Sequence, residues 1–276
     1  MIKSYRGKAV LVTGGTAGIG LATALAFAKH GAECTLTYRF GSADEDEVTA
    51  RFRALGAPEP HFVQADVSRD YDTDSLLEGM RARHDRIEAL IVNASMSLVV
   101  NSFDGYDQRG LRKSLEASAW PLVEYTRRAK TIFGSYPRYV VGQSSTGPAA
   151  FSVGYDFVAA SKSVMETLCK YLSYRLFDED IAINMVRSRS VRTESFKSTF
   201  GAEFSGFAQR LSKESHFLEP EEVAEVTLAL CSGLMDGVRG QIVTCDKGTT
   251  FFDNLMRLYE EREELGLVWP PREAAE

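Results

Sequence analysis

A tyrosine and a lysine seven residues apart, Tyr155 and Lys162, are the side chains whose types and spacing most suggest chemistry. They bracket the segment Y-D-F-V-A-A-S-K. On an α-helix, residues four and seven positions apart return to nearly the same face, about 40° and about 20° out of register. Tyr155 can therefore point into the surroundings of Lys162. A phenolic hydroxyl near an ammonium group predicts acid–base chemistry at a substrate oxygen.

A glycine-rich segment near the N-terminus, T-G-G-T-A-G-I-G at residues 13–20, predicts a phosphate-binding loop. It lies between an apolar run and a stretch with helical periodicity, which is the context that a dinucleotide-binding loop requires. Gly14 permits a tight turn, while Gly18 and Gly20 allow the backbone to approach a pyrophosphate. The phosphates would then lie at a helix N-terminus, where free N–H groups favour anions.

Strands and helices are predicted to alternate along most of the chain. The predicted strands are 8–13, 33–38, 61–64, 88–93, 139–142, 181–186 and 241–245. The predicted helices are 18–30, 45–55, 73–84, about 109–133, 155–177 and 221–231. This alternation predicts an α/β fold, a Rossmann-type doubly wound sheet of about seven parallel strands with helices on both faces.

The apolar and charged fractions are ordinary for a soluble globular protein. A chain of 276 residues is long enough for one large domain. The net charge of −6 gives no support for nucleic-acid or membrane binding. The four cysteines are far apart and do not predict a metal site, and we expect them to be free and buried. No signal peptide or membrane span is evident, so we expect a cytoplasmic protein.

Taken together, these motifs resemble the short-chain dehydrogenase/reductase family over nearly the whole chain. The glycine spacing, Asp66-Val67, Asn93-Ala94, the S-V-R-T segment at 190–193 and the G-Q-I-V-T-C-D-K-G segment at 240–248 carry the resemblance. It implies one domain over residues 1–250. The cofactor site would be formed by Gly14, Thr16, Gly18, Ile19, Gly20, Arg39, Asp66, Val67, Asn93, Ala94, Lys162, Val191 and Thr193.

The end of the second predicted strand bears on the choice of nicotinamide cofactor. An acidic residue there would bond the ribose hydroxyls and repel a 2′-phosphate. Here Arg39 follows the strand, with Ser42 close by, and a guanidinium and a hydroxyl suit a phosphate. Ala17, where many NADP-binding members carry a basic residue, and the acidic run from Asp44 favour NAD(H) instead. We expect NADP(H), with NAD(H) as the alternative.

The resemblance also implies catalytic roles. The family uses a tyrosine as proton donor or oxyanion partner, a lysine that lowers the tyrosine pKa and holds the nicotinamide ribose, and a serine that bonds the reacting oxygen. These roles fall to Tyr155, Lys162 and Ser145. Val158 occupies the usual tyrosine position, and Ser118 stands where an asparagine is common.

The seven-residue spacing resembles that of enoyl-carrier-protein reductases, in particular the compact NADPH-dependent branch. It implies reduction of an enoyl thioester, with the tyrosine on the enolate oxygen. Two alternatives stay open. One is a ketoreductase or dehydrogenase of a polyketide-type pathway, and the other is a nucleotide-binding homologue that has lost catalysis.

Two segments are expected to shape the substrate site. Residues 193–220 form a predicted lid in which Phe196, Phe200, Phe204 and Phe207 make an apolar stripe, suited either to an acyl chain or to the core. Residues 251–276 form a C-terminal amphipathic extension whose apolar face needs a partner. Three arginines at 187, 189 and 192 suit the phosphate of a phosphopantetheine arm or an acidic carrier protein. Alternatively, they are solvated loop charges or partners for the glutamates of the lid. The expected partners are a small-molecule or carrier-bound acyl substrate, an acyl carrier protein, and a second copy in a homodimer or homotetramer.

Overall fold

The structure, a computed structural model, describes residues 2–40, 44–96 and 98–267. Its strands are β1 (Ala9–Val12), β2 (Glu33–Tyr38), β3 (His61–Gln64), β4 (Ile87–Val92), β5 (Tyr139–Ser145), β6 (Ala182–Ser188) and β7 (Ile242–Cys245). Its helices are α1 (Gly18–Ala28), α2 (Glu45–Ala54), α3 (Asp70–Arg81), α4 (Gln108–Ser118), α5 (Pro121–Phe133), α6 (Asp156–Arg175), α7 (Glu194–Leu211), α8 (Pro220–Leu230) and α9 (Asn254–Glu260). The predicted alternation of strands and helices is confirmed.

The seven strands are all parallel and lie in the order β3-β2-β1-β4-β5-β6-β7. Successive strands are added in one direction up to β3, and from β4 onwards in the other. The order therefore reverses between β1 and β4, and loops there leave the sheet on opposite faces. A crevice opens at the carboxyl ends of the strands at such a point, which is where doubly wound sheets bind ligands.

Apolar side chains form one core on each face of the sheet. Val10 and Val12 of β1 point into the core under α1, α2 and α8. Ala9 and Leu11 of the same strand point into the opposite core, under α3, α5 and α6. A strand buried on both faces reads as a continuous apolar run, as β1 does. These two cores hold the carboxyl end of β1 in a fixed position beside those of β4 and β5.

The helix expected over residues 109–133 is instead two helices. α4 ends at Ser118 and α5 begins at Pro121, with Trp120 between them. Proline is well suited to the first helical position but lacks the N–H needed inside a helix. The two helices therefore meet at Pro121, and the prediction of one long helix was wrong.

The C-terminal extension packs on the end of the predicted lid of the same chain. Arg257 of α9 donates a hydrogen bond of 2.9 Å to the carbonyl oxygen of Leu211, the last residue of α7. Lys213 forms ion pairs with Glu261 and Glu264 at 3.5 and 3.1 Å. Leu255 and Tyr259 remain exposed. Residues 268–276, the end of the predicted extension, lie outside the described residues.

The cysteines and the helices agree with two further expectations. Cys34, Cys169 and Cys231 are free and buried, and Cys245 is free and half-buried. None of the helices in the described part of the chain is long and apolar enough to cross a membrane.

Candidate active site

The glycine-rich loop turns from β1 into α1 at the reversal of strand order. Gly14 and Gly18 adopt φ values of +62° and +52°, a left-handed backbone conformation that favours glycine. A Cβ atom at Gly20 would lie 2.2 Å from the Gly14 oxygen, so only glycine fits there. Ala17, at the N-cap of α1, gives no side-chain cap to the first N–H groups of the helix. These groups are left to bind an anion, and the cradle fits a dinucleotide pyrophosphate.

Asn93, which follows β4, braces this loop. Its Nδ2 donates to the carbonyl oxygens of Thr13 and Gly14 at 3.0 and 2.9 Å. In return, the Thr13 hydroxyl accepts hydrogen bonds from the backbone N–H groups of Asn93 and Ala94 at 2.9 and 3.0 Å. The asparagine thus fixes the ends of β1 and β4 against each other. This bracing role is not evident from the sequence, because it depends on pairing between strands about 80 residues apart.

One cavity of about 800 Å³ collects nearly all the predicted site residues. It is lined by Gly14, Thr16, Gly18, Ile19, Arg39, Asp66, Val67, Asn93, Ala94, Ser145, Tyr155, Lys162, Val191 and Thr193. Gly20 does not line it. Instead, Gly20 lies against the Gly14 carbonyl, where its missing side chain lets α1 approach the loop. The volume lies within the usual range for ligand sites, about 300–1,000 Å³.

At one end of the cavity, Arg39 is held by an aspartate. Its Nε lies 2.9 Å from the Asp66 carboxylate, and about two fifths of its side chain stays exposed. Burial of Asp66 acts to raise its pKa, but hydrogen bonds from Ser68 and the charges of Arg39 and Arg69 outweigh burial and lower it. The carboxylate is therefore ionised and keeps Arg39 at the cavity edge. Ser42 lies outside the described residues.

Tyr155 is the N-cap of α6, one residue before the helix itself. The expectation that it lies within the helix was therefore wrong by one residue. Its ring packs against Gly147, where an added Cβ would lie 2.8 Å from Tyr155 Cδ1. This contact directs the ring into the cavity that Lys162 also lines. Val158, at the usual tyrosine position, is 2% exposed and belongs to the packed interior.

The hydroxyl of Tyr155 interacts with that of Ser145, at the end of β5. Burial raises the pKa of Tyr155 above its usual value of 10, and the Ser145 hydroxyl acts in the opposite direction. Among the described residues, Ser145 and not Lys162 is the group that opposes the rise in the Tyr155 pKa. The Ser145 Oγ is buried and has no hydrogen-bond partner of good geometry in the described part of the chain, although it lies close enough to Tyr155 to act on its pKa. Tyr155 is thus a neutral O–H donor at physiological pH.

Lys162 lies on the second turn of α6 and is 4% exposed. Its Nζ donates a hydrogen bond of 2.8 Å to the carbonyl oxygen of Gln143 on β5. Burial lowers the pKa of the ammonium group to about 8, although the nearby Glu166 acts to raise it. A group with this pKa is mostly charged at neutral pH and becomes neutral in mildly alkaline solution.

An ion pair that sequence reasoning did not find lies beside Lys162. Glu166, one turn further along α6, accepts hydrogen bonds from both Nε and Nη2 of Arg187 at 3.0 and 2.6 Å. The Ser144 hydroxyl donates to the same carboxylate at 2.7 Å. A forked arginine–carboxylate pair is geometrically specific. It ties the ends of β5 and β6 to the helix that carries Lys162.

Ser118, where the family often carries an asparagine, has local partners. Its Oγ accepts a hydrogen bond of 2.9 Å from the backbone N–H of Met96 and lies 3.0 Å from the Ser95 hydroxyl. Ser118 is fully buried. It therefore fastens the end of α4 to the segment that follows β4.

The lid is a kinked helix, α7, and one of its phenylalanines contacts the candidate catalytic tyrosine. The rings of Phe196, Phe200 and Phe204 lie 5.0–6.3 Å apart, and the Phe200 ring stacks on Tyr155 at 5.8 Å and 27°. Gly201 interrupts the helix with φ 82° and ψ 163°. Three of the four predicted stripe residues line the cavity, and the fourth, Phe207, points elsewhere and is exposed.

The three arginines expected at the entrance of this loop have partners within the chain. Arg187 binds Glu166, as described above. Arg189 Nη1 donates to the Thr249 carbonyl oxygen at 3.1 Å. Arg192 is paired with Glu214 and, at 3.5 Å, with Glu219. For Arg192, pairing with glutamates of the predicted lid is the alternative observed.

This fold and site define the class of protein. The parallel sheet carries a glycine cradle where the strand order reverses. Ser145 at the end of β5 lines the same cavity as Tyr155 and Lys162. This is the architecture of a dinucleotide-dependent oxidoreductase. Residues 14–250 match the family model described as enoyl-(acyl carrier protein) reductase. The chain belongs to the short-chain dehydrogenase/reductase family and is an oxidoreductase of that family.

Two curated proteins illustrate the range of its relatives. An 11-beta-hydroxysteroid dehydrogenase A from Sesamum indicum is 29% identical over 70% of the chain, which spans 55% of that relative's length. The oxidoreductase asL5 from Sarocladium schorii is 27% identical over 90% of the chain and 97% of the relative. The named relatives thus include a hydroxysteroid dehydrogenase as well as an oxidoreductase without a stated substrate.

Solved structures share the fold at low identity. A short-chain dehydrogenase from Burkholderia cenocepacia J2315 in complex with NADP is 22% identical, with a TM-score of 0.77 over 90% of this chain and 100% of that one. A 7 alpha-hydroxysteroid dehydrogenase complexed with NADH and 7-oxo glycochenodeoxycholic acid is 20% identical, with a TM-score of 0.78 over 89% of this chain and 95% of that one.

Proposed function

We propose that the protein reduces a carbon–carbon double bond conjugated to a carbonyl group, with NADPH as the reductant. The observation that carries this proposal is the position of Tyr155, which lines the same cavity as Ser145 and Lys162. A tyrosine displaced by three residues from its usual position still brings its hydroxyl to the serine at the end of β5. Because this tyrosine starts from a different backbone position, its hydroxyl suits a carbonyl oxygen that is separated by two atoms from the carbon that is reduced.

In this proposal Tyr155 acts on the carbonyl oxygen. When bound, the nicotinamide supplies a hydride, which the β-carbon of the substrate accepts. Negative charge then develops on the carbonyl oxygen, and the Tyr155 O–H stabilises it by donating a hydrogen bond. The buried Ser145 hydroxyl, which has no well-formed hydrogen-bond partner among the described residues, is suited to donate a second one. A proton reaches the α-carbon afterwards and completes the reduction.

The pKa values support these roles. A tyrosine whose pKa is raised by burial remains protonated at neutral pH and can act as a donor without first losing its proton. Lys162 would hold the nicotinamide ribose, and its ammonium charge adds to the stabilisation of the oxyanion. Its hydrogen bond to the Gln143 carbonyl directs the ammonium group towards the end of β5.

The choice of NADPH is supported by Arg39. The residue follows β2, lines the cavity and keeps part of its guanidinium exposed while Asp66 fixes its position. A 2′-phosphate would bind there through charge-assisted hydrogen bonds. The Thr37 hydroxyl, near the end of β2, accepts a hydrogen bond from the N–H of Gly14 at 3.2 Å. Similar solved structures contain either NADP or NADH.

Carbonyl reduction is the second candidate, and one observation favours it. The relatives with a stated activity include a hydroxysteroid dehydrogenase, whose name describes chemistry at a carbonyl or alcohol carbon. The same pair of hydroxyls, on Tyr155 and Ser145, would then bond the oxygen of the carbon that is itself reduced.

One substrate separates the two candidates, because benzylideneacetone offers both bonds in the same molecule. The purified protein is incubated with NADPH and benzylideneacetone, and the product is identified by NMR. The saturated ketone is expected. The allylic alcohol would favour carbonyl reduction and contradict the proposal. If neither product forms, crotonyl and acetoacetyl thioesters of one carrier are tested as substrates in the same way.

A further inference from the structure

The substrate end of the cavity has apolar walls on two sides. On the lid these are Phe196, Phe200 and Phe204, and on the segment between β5 and α6 they are Phe151 and Val153. Phe151 and Val153 are 85% and 65% exposed, although both line the cavity. Apolar side chains that are exposed at the mouth of a cavity lose contact with water when a ligand covers them. The mouth therefore favours a ligand with an apolar body.

The aromatic rings of the lid have the spacing of a stacking surface. Successive rings lie 5.0 and 5.3 Å apart, from Phe196 to Phe200 and from Phe200 to Phe204. Aromatic pairs prefer centroid distances of about 4.5–7 Å, so a ring in the substrate can join this series. A ring, unlike a flexible acyl chain, loses little conformational entropy when it binds.

Four cations near this end of the cavity are engaged within the chain. Arg189 lines the cavity but donates to the Thr249 carbonyl. Arg187 and Arg192 are paired with glutamates, and Lys197 of the lid lies 2.7 Å from Glu194. Phosphate groups of a coenzyme A or phosphopantetheine arm bind where arginine or lysine side chains are available.

The lid also lacks the charge that would attract an acidic carrier protein. α7 carries two acidic residues, Glu194 and Glu203, and two basic residues, Lys197 and Arg210, so its net charge is zero. The whole chain has a net charge of −6. Complementary charge steers the association of proteins, and like charge opposes it.

We infer that the substrate is a free, neutral compound with an apolar, ring-containing body that packs on the lid phenylalanines, and not an acyl group carried on a phosphopantetheine arm. The inference rests on the proposed function for the identity of the bond that is reduced. The recognition of the apolar, ring-containing part of the substrate depends only on Phe151, Val153 and the lid. It also replaces the acyl carrier protein as the expected partner.

Two thioesters isolate the contribution of the carrier arm. Cinnamoyl-coenzyme A and S-ethyl thiocinnamate share a phenyl ring and an enoyl thioester, and differ only in the arm. Their Kd values are measured by titration calorimetry on the NADP⁺-loaded protein, which cannot reduce them, and kcat/KM is measured by NADPH consumption. The coenzyme A arm is expected to add no affinity, so that its thioester binds equally or more weakly. Tighter binding of the coenzyme A thioester would overturn the inference.

Two lid variants test where the ring binds. Phe204 lines the cavity, whereas Phe207, three residues later on the same helix, does not. Phe204→Ala is expected to weaken binding of S-ethyl thiocinnamate about tenfold. Phe207→Ala is expected to leave the Kd unchanged, and equal effects in the two variants would contradict the inference. If both thioesters bind as expected without being reduced, the proposed reaction is wrong while the assignment of the substrate body stands.

Discussion

The contact between Phe200 and Tyr155 joins the lid to the candidate catalytic hydroxyl, and Phe200→Ala should reveal it in kcat. The two rings are stacked at 5.8 Å and 27°. A pair of this kind contributes about 0.5–1.5 kcal/mol beyond the area it buries. If the contact holds the Tyr155 hydroxyl in its reactive orientation, losing it adds that energy to the barrier. Because about 1.36 kcal/mol corresponds to a tenfold change in rate, kcat should fall by about 2- to 13-fold.

Steady-state kinetics with three alanine variants of the same helix isolate this effect. Phe200→Ala should lower kcat, and Phe200→Tyr should restore it because the stacked ring is kept. Phe204→Ala should act mainly on KM, since Phe204 lines the cavity and contacts Phe200 but has no ring contact with Tyr155. Phe207→Ala is the matched control and should match the unmodified protein. An unchanged kcat in Phe200→Ala, or an equal loss in Phe207→Ala, would refute the coupling.

Three further perturbations act on other parts of the site. Burial lowers the pKa of Lys162 to about 8 from 10.5, so kcat/KM should fall as the pH rises through about 8; a flat profile up to pH 10 would show that the charge is not needed. Because the unfolded chain binds this proton more tightly, the contribution of Lys162 to the free energy of unfolding should rise between about pH 8 and pH 10.5. Arg39→Ala should weaken NADPH binding by about tenfold or more, with little change for NADH, as measured by titration calorimetry; equal losses for the two cofactors would exclude a phosphate contact. Gly147→Ala places a Cβ 2.8 Å from Tyr155 Cδ1, so the ring must move, and activity should fall while NADPH still binds. Gly79→Ala is the control, because its added Cβ has nothing within 4 Å. Equal activity of the two variants would contradict the assigned position of Tyr155.

The cofactor end of the site is the part that could be predicted from the sequence. The glycine loop combines a local spacing with a strand before it and a helix after it, and all three features lie within about 20 residues. The positive φ values at Gly14 and Gly18 are requirements of that local turn. The order of the strands then brings Asp66 and Asn93 to the same edge, because the carboxyl ends of parallel strands point in one direction.

The boundaries around α4, α5 and α6 were less predictable. Apolar periodicity continues through residues 109–133, and it hides the break before Pro121. Proline at a first helical position was a signal that could have marked the break. Tyr155 lies one residue outside α6, because helix ends depend on capping interactions that periodicity does not describe.

The contacts that tune the site depend on tertiary packing. The ion pair of Glu166 and Arg187 joins residues on α6 and β6, and nothing in their spacing distinguishes it from pairing elsewhere. The stacking of Phe200 on Tyr155 joins α7, just before its kink at Gly201, to the N-cap of α6, and the spacing of the two residues in the sequence does not indicate it. The predicted effect of Lys162 on the pKa of the tyrosine was also not found, since Ser145 is the group that opposes its rise.

The central claim is that the hydroxyl of Tyr155 performs the chemistry from its displaced position. The most direct measurement compares Tyr155→Phe with the unmodified protein, using benzylideneacetone for turnover and NADPH fluorescence for cofactor binding. The substitution removes one oxygen atom and leaves the contact of the ring with Gly147. In Tyr155→Phe we expect kcat to fall by about 10²- to 10⁴-fold while the Kd for NADPH stays the same. Equal turnover in Tyr155→Phe and in the unmodified protein would show that the Tyr155 hydroxyl does not perform the chemistry.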